Sequence, residues 1–82
     1  TFDVSPNPST DGHFKLNARF VKMAESRLNI YDLNGRLLKT KGFDVASSIN
    51  YQDELLNNGV YLLELHTRRT KMTRKLIVQI NE

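Results

Sequence analysis

Cysteine and tryptophan are absent from this chain. No disulfide, thiolate zinc site, thiol nucleophile or thiol redox pair can therefore be built from it. Small secreted animal modules commonly rely on disulfides, so the absence counts against that class and leaves bacterial export open. No apolar run is long enough to cross a membrane as a helix, and no stretch repeats with helical amphipathic spacing. No signal-peptide pattern stands at the start. An export address of that kind is expected upstream, and the chain reads as a fragment of a larger protein.

The 82 residues make one domain, residues 1–82, with 39% hydrophobic residues and a net charge of +3. A chain this short buries only about 60–65% of its unfolded surface, so its stability margin is thin. The charge total describes an ordinary solvated surface with a slight basic bias. Its distribution says more, because Arg68, Arg69, Lys71, Arg74 and Lys75 crowd one stretch with no acid among them.

The opening Val4-Ser5-Pro6-Asn7-Pro8-Ser9-Thr10-Asp11-Gly12 predicts a stiff, extended lead-in. Two prolines one residue apart cannot donate to a sheet, and Asp11-Gly12 supplies a turn. Phe14, Leu16, Ala18 and Phe20 then alternate with Lys15, Asn17 and Arg19, which marks a strand with one wet face. Residues 21–26 read as a connection, and Arg27-Leu28-Asn29-Ile30-Tyr31-Asp32 as a second strand. Its turn at Asn34-Gly35 suits a three-residue loop with Gly35 left-handed, Ile30 opposite Leu38 and Asp32 opposite Arg36. A two-residue loop would set Ile30 against Lys39 and Leu28 against Lys41, with lysines on the core face.

Residues 41–44 read as a turn, residues 48–51 as a short strand, and residues 53–56 as one helical turn ended by Asn57-Asn58-Gly59. Residues 60–66 are apolar on both faces, as in a central strand. The last strand is expected over residues 72–80, with Leu65 opposite Met72 and Tyr61 opposite Leu76. That register points Arg74 inward against Leu63, a misfit that a bulge, an edge position or a partner would explain. The expected core is Phe14, Leu16, Leu28, Ile30, Leu38, Leu63, Leu65 and Leu76. The expected fold class is all-β, an immunoglobulin-like antiparallel β-sandwich of about seven strands.

Three ordered stretches carry a family resemblance. Pro6-Asn7-Pro8 with Asp11-Gly12 comes first. Leu28-Asn29-Ile30-Tyr31-Asp32-Leu33-Asn34-Gly35-Arg36 follows. Leu56-Asn57-Asn58-Gly59-Val60-Tyr61-Leu62-Leu63 with Arg74-Lys75-Leu76-Ile77-Val78 closes the set. Each is common alone. Their ordered combination resembles the C-terminal sorting domains of the type IX (Por) secretion system of Bacteroidetes, type A-like.

The resemblance implies a non-catalytic targeting signal at the C-terminus of a secreted cargo. Its partners would be outer-membrane translocon and sortase components and the covalently linked N-terminal cargo. The route would run through the periplasm to the cell surface or medium. A surface sortase would remove the domain and join the cargo to an anionic lipopolysaccharide. Pro6, Asn7, Pro8, Gly12, Asp32, Asn34, Gly35, Gly59 and Tyr61 would be the structural motif residues. Asn81-Glu82 extend past the strand, a departure from members that stop at a short basic or polar tail.

The basic stretch invites several readings. Arg68, Arg69, Lys71, Arg74 and Lys75, with Leu76, Ile77 and Val78, would form a translocon-recognition surface. The plainer reading is a solvated hairpin tip beside a lysine-blunted edge strand. Nucleic acid is not expected, because exposed aromatics for base stacking are missing beside the charges. His13 and His66 lack ligand-spaced partners, so no metal or other cofactor is expected. Asp53 and Glu54 are adjacent and diverge, which does not suit paired acid–base work. Ser5, Ser9, Ser26, Ser47 and Ser48 lack a nucleophile-elbow context. Tyr31, Tyr51 and Lys39 could instead form a sugar-binding face. A small carbohydrate-binding or structural immunoglobulin-like accessory module of a secreted enzyme is thus the alternative function.

Overall fold

The computed structural model describes residues 1–80. Five strands are present among them: β1 (Phe2–Ser5), β2 (His13–Tyr31), β3 (Leu37–Glu54), β4 (Gly59–His66) and β5 (Lys71–Val78). They form one curled antiparallel sheet in the order β1-β2-β4-β5, with β3 also on β2. No helix occurs among the described residues.

β2 organises the sheet. Residues 15–18 pair β1 on one side, and residues 13–19 pair residues 48–54 of β3 on the other. Residues 27–31 pair the start of β3 and then β4. Between these halves the β2–β3 ladder shifts register twice, between Arg19 and Ala24 and between Ala24 and Ser26. Such bulges bend a strand and increase its twist, so β2 and β3 curl together. Val21 projects fully into solvent at this bend. The alternation on either side turns Phe14, Leu16, Leu28 and Ile30 toward one core with Phe2, Leu63, Leu65, Leu76 and Val78, all essentially inaccessible.

Five strands replace the expected seven because the chain does not leave the sheet where its polar residues suggested. Residues 21–26 lie within β2 rather than in a connection. Residues 41–44 lie inside β3, as does the short strand expected over residues 48–51. Asp53 and Glu54 end β3 and start no helical turn. Bulges absorb the broken periodicity that read as loop.

The β2–β3 turn forms as its residues require. Asp32 Oδ1 accepts from the Asn34 and Arg36 amides at 2.9 and 3.0 Å, and Gly35 takes φ +82°. Beyond it the expected register fails. Tyr31 pairs with Leu37 but Ile30 with Lys39, so Leu38 has no partner across the strand. Leu38 is 37% exposed and is not core. Lys39 does occupy the core-face register, and its ammonium escapes to Asp53 at 2.7 Å. The final hairpin keeps its expected register, with Leu65 opposite Met72, Leu63 opposite Arg74 and Tyr61 opposite Leu76.

Two closures tie the ends. The Leu55 amide donates to the Gly12 carbonyl at 2.8 Å, and a Cβ on Gly12 would lie 2.5 Å from the Leu55 oxygen. The Ile80 amide donates to Asn58 Oδ1 at 2.7 Å. Gly12 and Gly35 both have positive φ, but open space surrounds a Cβ at Gly35. Gly35→Ala should therefore cost about 1–2 kcal/mol from backbone conformation alone, and Gly12→Ala distinctly more. Leu63→Ala should cost about 2–5 kcal/mol. Urea unfolding of the three variants checks the order; equal losses at the two glycines would contradict the Leu55 contact.

Candidate recognition surface

The basic residues share one hairpin but not one face. Thr67 closes the β4–β5 turn: its amide donates to the Thr70 carbonyl at 2.8 Å, and its Oγ1 accepts from the Arg69 and Thr70 amides at 3.3 and 3.0 Å. That leaves Arg68 and Arg69 exposed at the tip. Lys71 and Lys75 alternate with the core residues Leu76 and Val78 and so stand on the outer face. Lys71 lies 3.9 Å from Glu64, and Lys75 sits opposite the partly exposed Leu62. Glu64 also bonds His66 and accepts from Tyr31 at 3.5 Å. The His66 bond holds its carboxyl below the usual range.

Arg74 takes the inward register and escapes along the rim. Its guanidinium centre lies 5.8 Å from the Phe2 ring centroid, and Nη1 donates to the Thr73 carbonyl at 2.9 Å. This cation–π contact over β1 accounts for the misfit. Leu76 and Val78 are buried, and Ile77 is half-buried. The folded hairpin thus offers a partner Arg68, Arg69, Lys71, Lys75, the rim of Arg74 and part of Ile77, not the side chains of Leu76 or Val78.

The opening motif packs against this same hairpin. Residues 6–9 run along the outer edge of β5, and Ser9 forms a parallel bridge with Val78. Asn7 Nδ2 donates to the Lys75 carbonyl at 2.7 Å, and Asn7 Oδ1 accepts from the Ile77 amide at 3.0 Å. The Ser9 amide donates to the Ile77 carbonyl at 2.7 Å, and the Gln79 amide to the Ser9 carbonyl at 2.8 Å. Both Ser5-Pro6 and Asn7-Pro8 are cis. Ser9 is wholly buried, with its hydroxyl donating to the His13 carbonyl at 2.7 Å. Sequence reading missed Ser9 and Asn58 as closure residues. The available signal was a short polar residue at a turn, able to bond main chain through its side chain, as the Ser9 hydroxyl does at His13 and Asn58 does at Ile80.

Tyr61 donates to the Asn57 carbonyl at 2.6 Å, with Gly59 lying against the Tyr61 ring. The suggested sugar face does not assemble, because Tyr31 pairs outward beside Glu64 while Tyr51 lies opposite the buried Leu16. Tyr51 instead meets Phe43 edge-on, with ring centroids 5.5 Å apart. It and Lys39 converge on Asp53 beside a cleft of about 250 Å3. No group of three or more potential metal ligands clusters among the described residues.

Burial pushes the Asp53 carboxyl up, but hydrogen bonds from Lys39, Tyr51 and the Glu54 amide outweigh it and hold the group low. Burial, followed by the hydrogen bond and charge of Asp53, raises the Tyr51 phenol to about 12.

These features define a small curled antiparallel β domain, tied at its ends, with a basic hairpin on its surface. The chain belongs to the Secretion system C-terminal sorting domain family, whose model matches residues 3–79. It is accordingly a type IX secretion sorting signal, which implies an N-terminal cargo and export to the cell surface or beyond. No significant match is found among curated proteins. The fold is similar to that of a superoxide reductase (neelaredoxin) from Ignicoccus hospitalis. That match has a TM-score of 0.57 and 12% identity, covering 96% of this chain and 79% of that one. At this identity the likeness is one of fold.

Because Tyr51 is raised, its contribution to stability is complete below the ordinary phenol range and is lost as pH climbs toward about 12. Ultraviolet titration should find the Tyr51 phenol ionising late, a step lost in Tyr51→Phe and shifted toward the ordinary value in Asp53→Asn. An unshifted titration in Asp53→Asn would contradict the contact.

Proposed function

We propose that this domain is a non-catalytic address carried by a passenger through the periplasm and across the outer membrane. The type IX translocon reads it in the folded state, and a surface sortase removes it. The observation that carries the reading is the family match over residues 3–79. In the fold its first and last signature segments are bonded to each other. A signal whose two ends depend on one another suits recognition of a folded surface rather than of an unfolded tail.

The same contacts support an immunoglobulin-like sandwich, with β1 and the facing halves of β2 and β3 in one layer and the remaining halves with β4 and β5 in the other. The Tyr61 bond to Asn57 is the kind of contact a tyrosine corner makes. The basic side chains at the tip and outer face of the last hairpin form the recognition surface. The separation of Tyr31 from Tyr51 gives no added support to an accessory carbohydrate-binding role.

Residues 1–82 fused behind an exported reporter should bring it to the surface or medium of a bacterium with a type IX system. Arg68→Glu, Arg69→Glu and Lys71→Glu together should weaken export while the fold survives, because exposed charges usually alter stability by under ~0.5 kcal/mol. Cell fractionation reads both. Periplasmic retention of the unaltered fusion, in a strain that exports other cargo, would overturn the proposal.

A further inference from the structure

β5 pairs with β4 along its whole length, which leaves one outer edge. Main-chain groups alternate in direction along a strand. Lys75 and Ile77 bond outward to Asn7, so Lys71 and Thr73 also face outward. Residues 6–9 cover this edge only from Lys75 onward. Among the described residues, the bond recorded at Lys71 and Thr73 on this edge is that of Arg74 to the Thr73 carbonyl.

The cover is a poor strand. Pro6 and Pro8 have no N–H to give. Asn7 meets β5 through its side-chain amide, and both bonds are exposed. Ser9 differs, being buried, bonded through its main chain in both directions and anchored to His13. The segment is thus pinned at Ser9 and held at Asn7 by two solvent-exposed bonds, the kind that opens most readily. Releasing Asn7 would join the covered and uncovered stretches into a free edge from Lys71 to the Ile77 amide, with the Ile77 carbonyl still held by Ser9, long enough to take another strand.

The side chains beside that edge select the occupant. Lys71 and Lys75 flank it on one face and Arg74 on the other. A second copy of β5 would set cations against cations, whereas an acidic strand would set opposite charges across the pair. We propose that this edge is a strand-addition site for an extended, acidic peptide segment, with Asn7 as its latch. Assigning that segment to the secretion machinery rests on the sorting function above; the binding property of the edge does not.

The test uses the 82-residue domain and two labelled eight-residue probes, one alternating Glu with Thr and one alternating Lys with Thr. Fluorescence anisotropy should show Asn7→Ala binding the acidic probe roughly tenfold more tightly than the parent domain, with two latch bonds removed. Asn7→Asp keeps the acceptor for the Ile77 amide but opposes the Lys75 carbonyl, so it should fall between; it carries the test if Asn7→Ala does not fold. Bound probe should slow hydrogen exchange at Thr73, Lys75 and Ile77. Lys71→Glu with Lys75→Glu should abolish binding. An unchanged affinity in both Asn7 variants, protection elsewhere, equal binding of the basic probe, or self-association in place of probe binding would overturn the proposal. Failure of probe binding with normal reporter export would remove the edge site and leave the sorting function. Probe binding as expected with periplasmic retention of the reporter would do the reverse.

Discussion

Every layer of this domain depends on β2 remaining paired while it turns. It is bonded to β1, β3 and β4, and its two halves supply Phe14 and Leu16 at one end of the core and Leu28 and Ile30 at the other. A straight strand could not face one core with both halves. The register shifts between Arg19 and Ser26 let the pair of strands bend without ending the ladder. Their cost is visible in Val21, which the bend turns into water. A domain of this size has little apolar area to spare, so the arrangement works only because the remaining core positions are closely sealed.

The strand faces were legible where alternation was unbroken. Phe14, Leu16, Leu28, Ile30, Leu63, Leu65 and Leu76 follow a period of two and are buried. The Gly35 turn was legible because Asp32, Asn34 and Gly35 each satisfy a local backbone demand. Leu38 misled because one unpaired residue beyond the turn reverses every face after it, and no residue type announces that bulge. Residues 21–26 misled for a related reason. Lys22 and Glu25 are polar enough for a loop and fall at the register shifts, while the pairing of Ala24 with Ala46 and Ser26 with Phe43 keeps the segment in the sheet. The basic hairpin could be located from sequence. The division of its charges among tip, outer face and rim required the sheet, because Arg74 is defined by its distance from Phe2.

The family motifs have a physical meaning in this setting. Asn7 replaces main-chain donors that Pro6 and Pro8 lack. Gly12 admits the Leu55 carbonyl, and Tyr61 and Asn58 secure the approach to β4 and the end of the chain. Asn7 and Gly12 close gaps between segments remote in sequence, whereas Asp32, Gly35 and Tyr61 hold local turns. Asn7, Gly12 and Tyr61 thus carry contacts that hold the fold, while Arg68 and Arg69 stand exposed at the hairpin tip.

The bond from Asn7 to the Lys75 carbonyl joins residues 68 apart in the chain. During synthesis, Asn7 leaves the ribosome long before β5 exists. The first three strands meanwhile lack Leu63, Leu65, Leu76 and Val78 from their core. Closure must wait until β5 has been translated, and bringing segments this far apart together carries an entropic cost. A passenger preceding this domain has therefore been translated in full before its address is finished. A ribosome that stops before β5 releases a product without this closure, so the topology itself records whether translation passed Lys75.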